Sequence, residues 1–188
     1  MEVCSIENCN ILNEIMSEFN KPWAIAGGCS IDLFLGEITR DHDDIEIVIF
    51  RNDQLAVREY LIDWNFKKVN NGMVTPWNKG EILVSPIHEI YAEKSNKKVE
   101  ILLNESDGDD WIYRRDSRIR RKLEKIFLTT KNGIPILSPE IILLYKSKGS
   151  RPKDEKDFRN TYEYMSFEQK QWLQESLKLI YNEHSWIV

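Results

Sequence analysis

Asp44 and Glu46 flank Ile45 at the start of an apolar run that reads DDIEIVIF. Side chains alternate across a β-strand, so we expect both carboxylates on one face of a strand and the isoleucines on the other. Carboxylates held close together repel each other unless a cation lies between them, and a divalent metal with oxygen ligands is the usual solution. An isolated Asp-x-Glu is more often a solvent-facing acid pair, and that interpretation stays open.

A third acid, Glu100, lies between Val99 and Ile101 in a second strand-like run, KVEILLNE. If the two strands are neighbours, the three carboxylates form a site for one or two Mg²⁺ (or Mn²⁺) ions. Such a site suits phosphoryl or nucleotidyl transfer, because the metals bind a triphosphate and offset the charge that develops in the transition state. A carboxylate that the metal does not fully engage accepts the proton of the attacking hydroxyl.

Gly27 and Gly28 follow a short apolar run at 23–26 and precede a compact amphipathic segment at 30–35. Glycine lets backbone N–H groups approach phosphate oxygens, and the helix that follows offers its positive N-terminal end. An isolated Gly-Gly is nearly always a plain turn. The order of Gly-Gly, short helix and acid pair favours a nucleotide site over that interpretation.

Arg40 and His42 come just before the acid strand. From this position they contact phosphate or pair with a nearby aspartate. The candidate partners are Asp32, Asp41 and Asp43.

A basic cluster lies near the end of one predicted helix and the start of another. Its members are Lys146, Lys148, Arg151 and Lys153. Cations near a helix C-terminus are common for dipole reasons alone, so a solvated surface is the baseline interpretation. Beside an acid site, one or two of them would instead steady a triphosphate tail. We expect Asp154 and Asp157 to pair with these cations or to cap the next helix.

The segments that position these residues predict an α+β fold, in which a mixed sheet carries helices. Apolar residues recur at helical spacing near 6–19 and 53–64. Turn residues at 95–97 and 131–133 predict two hairpins. Ser138 and Pro139 predict the start of a helix, and two more amphipathic helices follow. We therefore expect a mixed-sheet core at 1–137 and a C-terminal helical cap at 138–188, packed as one compact unit.

The composition excludes several classes of protein. The chain has 188 residues, a net charge of −5 and no apolar run near the roughly 20 residues that cross a bilayer. No basic leader or signal core opens the chain, so we expect a cytoplasmic protein. The negative charge argues against a nucleic-acid partner. Three cysteines have neither Cys-x-x-Cys nor histidine spacing, which predicts reduced thiols and no zinc site.

We predict that an acceptor pocket is built from loops, here at 70–80 and 104–122. Trp77 and Trp111 lie in these stretches, where an aromatic face would stack on a sugar or a base. Five arginines lie between 114 and 121. They either contact an acidic partner or form a solvated, internally paired surface. His88 and His184 have no ligand spacing and are expected at the surface or in packing.

The segment AGGCSIDLFLGEITRDHDDIEI resembles the signature of the aminoglycoside 2''-adenylyltransferase-like branch of the nucleotidyltransferase superfamily. The matching positions are Gly27, Gly28, Asp32, Gly36, Arg40, His42 and Asp44. A later segment, from YRRDSRIRRK to KDEKDF, is also similar to this group. Its counterparts are Glu140, Leu144, Lys146, Arg151, Lys153, Asp154, Asp157 and Phe158. The resemblance covers nearly the whole chain, although Glu46 and Glu100 stand where aspartate is usual and Cys29-Ser30 replaces Trp-Ala.

This resemblance implies a nucleotidyltransferase-like mixed sheet with a helical cap. It also implies transfer of a nucleoside monophosphate, AMP from ATP or another NTP, to a hydroxyl of a small-molecule acceptor such as an antibiotic. The implied catalytic residues and metal ligands are Asp44, Glu46 and Glu100. The implied nucleotide-binding residues are Gly27, Gly28, Ser30, Arg40, His42, Lys146, Arg151 and Lys153. The alternative is a catalytically weak or inactive relative that binds nucleotide or serves as an interaction module.

Overall fold

Two parallel strands, Glu46–Phe50 and Lys97–Asp107, form the centre of a mixed sheet in the computed structural model, which describes residues 5–149 and 151–188. The strands are β1 Trp23–Ile25, β2 Glu46–Phe50, β3 Asn65–Asn70, β4 Met73–Pro76, β5 Glu89–Lys94, β6 Lys97–Asp107, β7 Asp110–Ile112, β8 Arg120–Lys122, β9 Phe127–Thr129 and β10 Pro135–Leu137. The helices are α1 Ile6–Met16, α2 Gly27–Leu35, α3 Gln54–Tyr60, α4 Pro139–Ser147, α5 Pro152–Tyr162 and α6 Phe167–Ile180.

The strand order is β4-β3-β5-β6-β2-β1-β10-β9, and β7 and β8 extend the sheet from the end of β6. Strand β1 is parallel to β10 and antiparallel to β2. The remaining pairs are antiparallel. The predicted mixed sheet and both predicted hairpins, β5–β6 and β9–β10, are confirmed.

Helices cover both faces of this sheet. Ile47 and Ile49 of β2 belong to a core that includes residues of α1 and α3. Val48 and Phe50, which alternate with them, belong to a second core with residues of α4 and α6. Because Glu46 shares the parity of Val48, its side chain leaves the sheet on the α4 side. The division at residue 138 stays a prediction, while the helices after it do pack on this face.

The expected loop at 104–122 is wrong in part, because β6 continues to Asp107 and β7 and β8 follow. The charged residues conceal an alternation in which Trp111, Tyr113, Ile119 and Arg121 are buried. A run of exposed charges between them hides the strand period from a reading of hydrophobicity alone.

Helix α4 begins as predicted, with Ser138 before Pro139. The Ser138 hydroxyl makes no capping bond and instead donates to Glu140 Oε2 at 2.5 Å. In the part of the chain that the structure describes, no helix combines the length and apolarity required to cross a bilayer.

Candidate active site

Strand register brings the predicted carboxylates together. The parallel pair β2–β6 places Glu46 opposite Glu100, and the Glu100 amide donates to Ile45 O at 3.0 Å. The antiparallel pair β5–β6 places Tyr91 on the other side of Glu100. Adjacent strands are about 4.8 Å apart, so these three side chains form one row across a sheet face. Asp44 lies just before β2, two positions along the chain from Glu46.

Two glutamates of this row, Glu46 and Glu100, resist ionisation. Burial, followed by the charge of Asp44, raises the pKa of Glu46 above its ordinary value. Burial and the charges of Glu46, Glu89 and Asp44 raise the pKa of Glu100 to about 8. Burial is the larger cause for both groups, and the repulsion among the acids, which a bound cation would relieve, is the smaller one.

The donor set fits a hard divalent cation in kind, because Asp44, Glu46 and Glu100 offer only oxygen ligands. Among the described residues, however, no three His, Cys, Asp or Glu side chains are already arranged to hold a metal ion. The residues are thus neighbours in the sheet, and their side chains would have to turn toward a common ion.

The two glycines form the first turn of α2, whereas the sequence predicted a turn that preceded a helix at 30–35. Gly27 has φ of +60°, and a Cβ on it would overlap the Glu46 carboxylate. A Cβ on Gly28 would overlap the His42 ring and the Arg40 guanidinium. The helix N-terminus, whose first N–H groups have no partner inside the helix, therefore lies directly against the site.

His42 is fixed from behind by a buried acid. Its Nε2 donates to Asp32 Oδ2 at 2.6 Å, and Thr39 donates to Asp32 Oδ1 through both its amide and its hydroxyl. Burial acts to raise the pKa of Asp32, but these hydrogen bonds outweigh it and lower the pKa. The pairing of His42 with Asp32, one of the two alternatives, thus occurs, and Nδ1 faces Gly28.

Three cations of the site are paired with Asp154 and Asp157 of α5, as expected for these two acids. Arg40 donates to both oxygens of Asp157, at 2.9 and 3.0 Å. Lys146 Nζ lies 2.9 Å from Asp157 and 3.3 Å from Asp154. Arg151 Nε donates to Asp154 at 2.7 Å.

One cavity of about 630 Å³ joins these groups. Its wall includes the glycine turn, the three carboxylates and the cations. The predicted site residues in it are Gly27, Gly28, Arg40, His42, Asp44, Glu46, Glu100, Lys146, Arg151 and Lys153. Ser30 is not in this wall, because its buried hydroxyl donates to Leu137 O at 2.8 Å and ties α2 to β10.

Several cavity residues were not assigned to the site from the sequence. They are His88, Glu89, Arg114, Arg115 and Tyr145. Glu89 is two residues from Tyr91 on β5, so both side chains face the same side of the sheet. The predicted hairpin could therefore have indicated that Glu89 lies at the site.

Two aromatic predictions and one thiol prediction are wrong. Trp77 and Trp111 are buried and absent from the cavity wall, because both pack in the interior with their indole N–H groups hydrogen-bonded. Cys29 is disulfide-bonded, since spacing along the chain does not reveal which thiols a fold brings together. Cys9 is a buried free thiol, and Cys4 lies outside the described residues.

Solved structures share this fold. The lincosamide antibiotic adenylyltransferase LnuA, bound to lincomycin, has a TM-score of 0.60 at 16% identity over 87% of this chain and 99% of its own. The antibiotic-resistance factor ANT(2'')-Ia has a TM-score of 0.61 at 14% identity over 94% of each chain. A putative nucleotidyltransferase from Thermotoga maritima has a TM-score of 0.52 at 17% identity, covering 85% of this chain and 94% of its own.

A comparison with curated proteins found no match. The model of the aminoglycoside-2''-adenylyltransferase family, in contrast, matches residues 10–163, which include the glycine turn, all three carboxylates and the α4–α5 cations. The chain therefore belongs to the aminoglycoside-2''-adenylyltransferase family of nucleotidyltransferases.

Proposed function

We propose that the protein transfers a nucleoside monophosphate, AMP from ATP, to a hydroxyl of a small-molecule antibiotic. The observation that carries this proposal is the common cavity, whose wall joins the carboxylate row to the α2 N-terminus and a set of cations. Cations and a helix N-terminus bind the phosphates of a triphosphate. Carboxylates hold the metal ions that act at the reacting phosphorus. LnuA and ANT(2'')-Ia, which share the fold, are an antibiotic adenylyltransferase and an antibiotic-resistance factor.

In this proposal Asp44, Glu46 and Glu100 hold Mg²⁺, or Mn²⁺, which would neutralise the phosphates and polarise the phosphorus. Gly27 and Gly28 let the triphosphate approach the backbone at the start of α2. Arg40, His42, Lys146, Arg151 and Lys153 face the β- and γ-phosphates. Ser30 contributes indirectly, because it holds the start of α2 against β10.

The reaction step uses groups that the cavity brings together. The acceptor oxygen attacks the α-phosphorus, a new O–P bond forms, and the bond to the β-phosphate bridging oxygen breaks so that pyrophosphate leaves. Glu100 takes the proton of the acceptor hydroxyl. Glu100 can do so through a carboxylate oxygen that the metal does not engage.

Calorimetry of ATP binding with and without Mg²⁺ tests the nucleotide part of the proposal. We expect binding that requires Mg²⁺ and that Asp44→Asn and Glu46→Gln each weaken strongly. Asp41→Asn is the matched control, because this exposed acid is close in sequence but absent from the cavity wall. Binding that ignores Mg²⁺, or no binding, would contradict the proposal.

Transfer to a panel of aminoglycosides and lincosamides, followed by mass spectrometry, tests the acceptor part. We expect a mass increase of one AMP on one class and none with Glu46→Gln. Transfer to neither class, with ATP binding intact, would instead support the inactive nucleotide-binding alternative.

A further inference from the structure

Asp157 joins two cations that come from different elements. Its carboxylate accepts the Arg40 fork through both oxygens and also contacts Lys146 Nζ at 2.9 Å. Arg40 precedes β2, Lys146 belongs to α4, and Asp157 lies in α5 with no exposed surface. One buried acid thus fixes two cavity cations relative to each other.

Both cations keep donors for a ligand after these contacts. An arginine has five N–H groups and a lysine three. Arg40 uses Nε and Nη2 on Asp157 and Nη1 on Asp41 O, which leaves two N–H groups. Lys146 contacts Asp154 and Asp157, which leaves one. Because a Cβ on Gly28 would overlap Arg40 Nη2, the Arg40 fork lies against the N-terminus of α2.

The acid has two opposing effects on an anion in the cavity. Its negative charge reduces the attraction that Arg40 and Lys146 exert on phosphate. Its hydrogen bonds hold two long side chains in one conformation, so that ordering them costs nothing further when the anion binds. The bidentate geometry to Arg40, which fixes the plane of the guanidinium, favours the second effect.

We propose that Asp157 is a positioning residue for the nucleotide: it holds Arg40 and Lys146 so that their remaining N–H groups meet the triphosphate beside the start of α2. This inference rests on the proposed function, because it concerns the same site. Asp154 has a lesser part, since its contact with Lys146 is longer, at 3.3 Å, and its other partner, Arg151, is exposed.

The affinity of the Asp157→Asn variant for Mg²⁺-ATP and for inorganic tripolyphosphate tests the inference, because the two possible roles of Asp157 change this affinity in opposite directions. The variant adds net positive charge to the site, so a purely electrostatic role predicts tighter binding. Positioning predicts a dissociation constant about tenfold higher, equivalent to about 1.4 kcal/mol. Asp110→Asn is the control for net charge, because it removes an acid that pairs with Lys122 outside the cavity wall. An unchanged or lower dissociation constant in Asp157→Asn overturns the inference.

Kinetics separate positioning from a general loss of structure. We expect Asp157→Asn to raise the KM for ATP about tenfold while kcat changes by less than about threefold, since the reacting carboxylates are untouched. Equal losses in kcat and in kcat/KM would overturn the positioning role.

A second variant covers the case in which Asp157→Asn does not fold. Arg40→Lys keeps every charge and leaves α5 intact but removes the fork, so it should also weaken tripolyphosphate binding several-fold. Unchanged binding would overturn the inference. If the wild-type protein itself binds no Mg²⁺-ATP, the proposed function fails and the inference fails with it. Normal wild-type binding with unaffected variants rejects the inference alone.

Discussion

The two sides of the cavity differ in how their charges are balanced. The sheet side has acids without an ion-pair partner among the described residues, namely Asp44, Glu46 and Glu100. The helix side has cations that already have acidic partners, namely Arg40, Lys146 and Arg151 with Asp154 and Asp157. Ionisation of Glu46 and Glu100 on the sheet side is thus disfavoured without a cation, whereas the ion pairs of the helix side are formed before any ligand arrives. Under the proposed function, a Mg²⁺-nucleotide complex would bring the cation to the sheet side and place its phosphates against the paired cations of the helix side.

Neutralising one acid on each side should change metal-free stability in opposite directions. Asp157→Asn removes the partner of two cations and should lower the free energy of unfolding by about 2 to 3 kcal/mol. Glu46→Gln removes a repelled carboxylate and should raise it by about 1 kcal/mol. Urea denaturation in EDTA measures both variants against the wild-type protein. Two changes of the same sign would show that the sides do not differ as described.

The glycine turn can be tested with a third glycine as the matched control. Gly27→Ala places a methyl group against the Glu46 carboxylate at positive φ, and we expect nucleotide transfer to fall by at least about 100-fold. Gly36 also has positive φ, +82°, but a Cβ there meets no atom within 4 Å. Gly36→Ala should therefore cost about 1 kcal/mol of stability with kcat and KM unchanged. Equal loss of activity in both variants would assign the effect to backbone strain alone.

The raised pKa of Glu100 predicts how the metal-free protein responds to pH. The pKa rises from an ordinary value of 4.5 to about 8 in the folded state. The folded state therefore holds the proton more tightly, so this stabilisation is complete below the unfolded pKa and is lost as the pH rises through the folded pKa. Melting temperatures measured at about pH 5 and about pH 8.5 should fall with pH, and Glu100→Gln should reduce the slope. A slope that survives in Glu100→Gln would mean that other groups cause it.

The smallest expected effect is that of a substitution at Ser30, which distinguishes a nucleotide-binding role of this residue from a structural one. Ser30→Ala removes the hydrogen bond to Leu137 O and should cost about 1 kcal/mol of stability. Because the hydroxyl is buried and absent from the cavity wall, the KM for ATP should stay within about twofold. A clear rise in KM with stability unchanged would return Ser30 to the nucleotide-binding residues.

The sequence predicted which acids meet on the sheet side because the signals there are local and periodic. An acid pair in an apolar strand and a hairpin with one acid on its second strand placed Glu46 and Glu100 on neighbouring strands, as the structure has them. Asp44, which was expected in the same strand as Glu46, lies just before it. Gly27 and Gly28 also lie at the site, although they form the first turn of α2.

The remaining site depends on contacts between distant segments, which no local pattern contains. The bond from Arg40 to Asp157 spans 117 positions, and sequence spacing suggested only nearby aspartates for it. The prediction that Trp77 and Trp111 flank an acceptor pocket was wrong for a related reason. Charged or turn-like neighbours predicted loops, while tertiary packing buried both indoles.

The parallel register of β2 and β6 has a consequence for how the protein acquires activity during folding. Glu46 and Glu100 lie in strands joined by a long connection through α3, β3, β4 and β5. Parallel pairing across such a connection is slow to form, because the chain loses loop entropy before the contacts compensate. In refolding monitored by hydrogen exchange, amides of α1 and α3 should gain protection before those of β2. Catalytic activity should then recover at the rate of the β2 amides, since the carboxylate row does not exist until this strand pair closes.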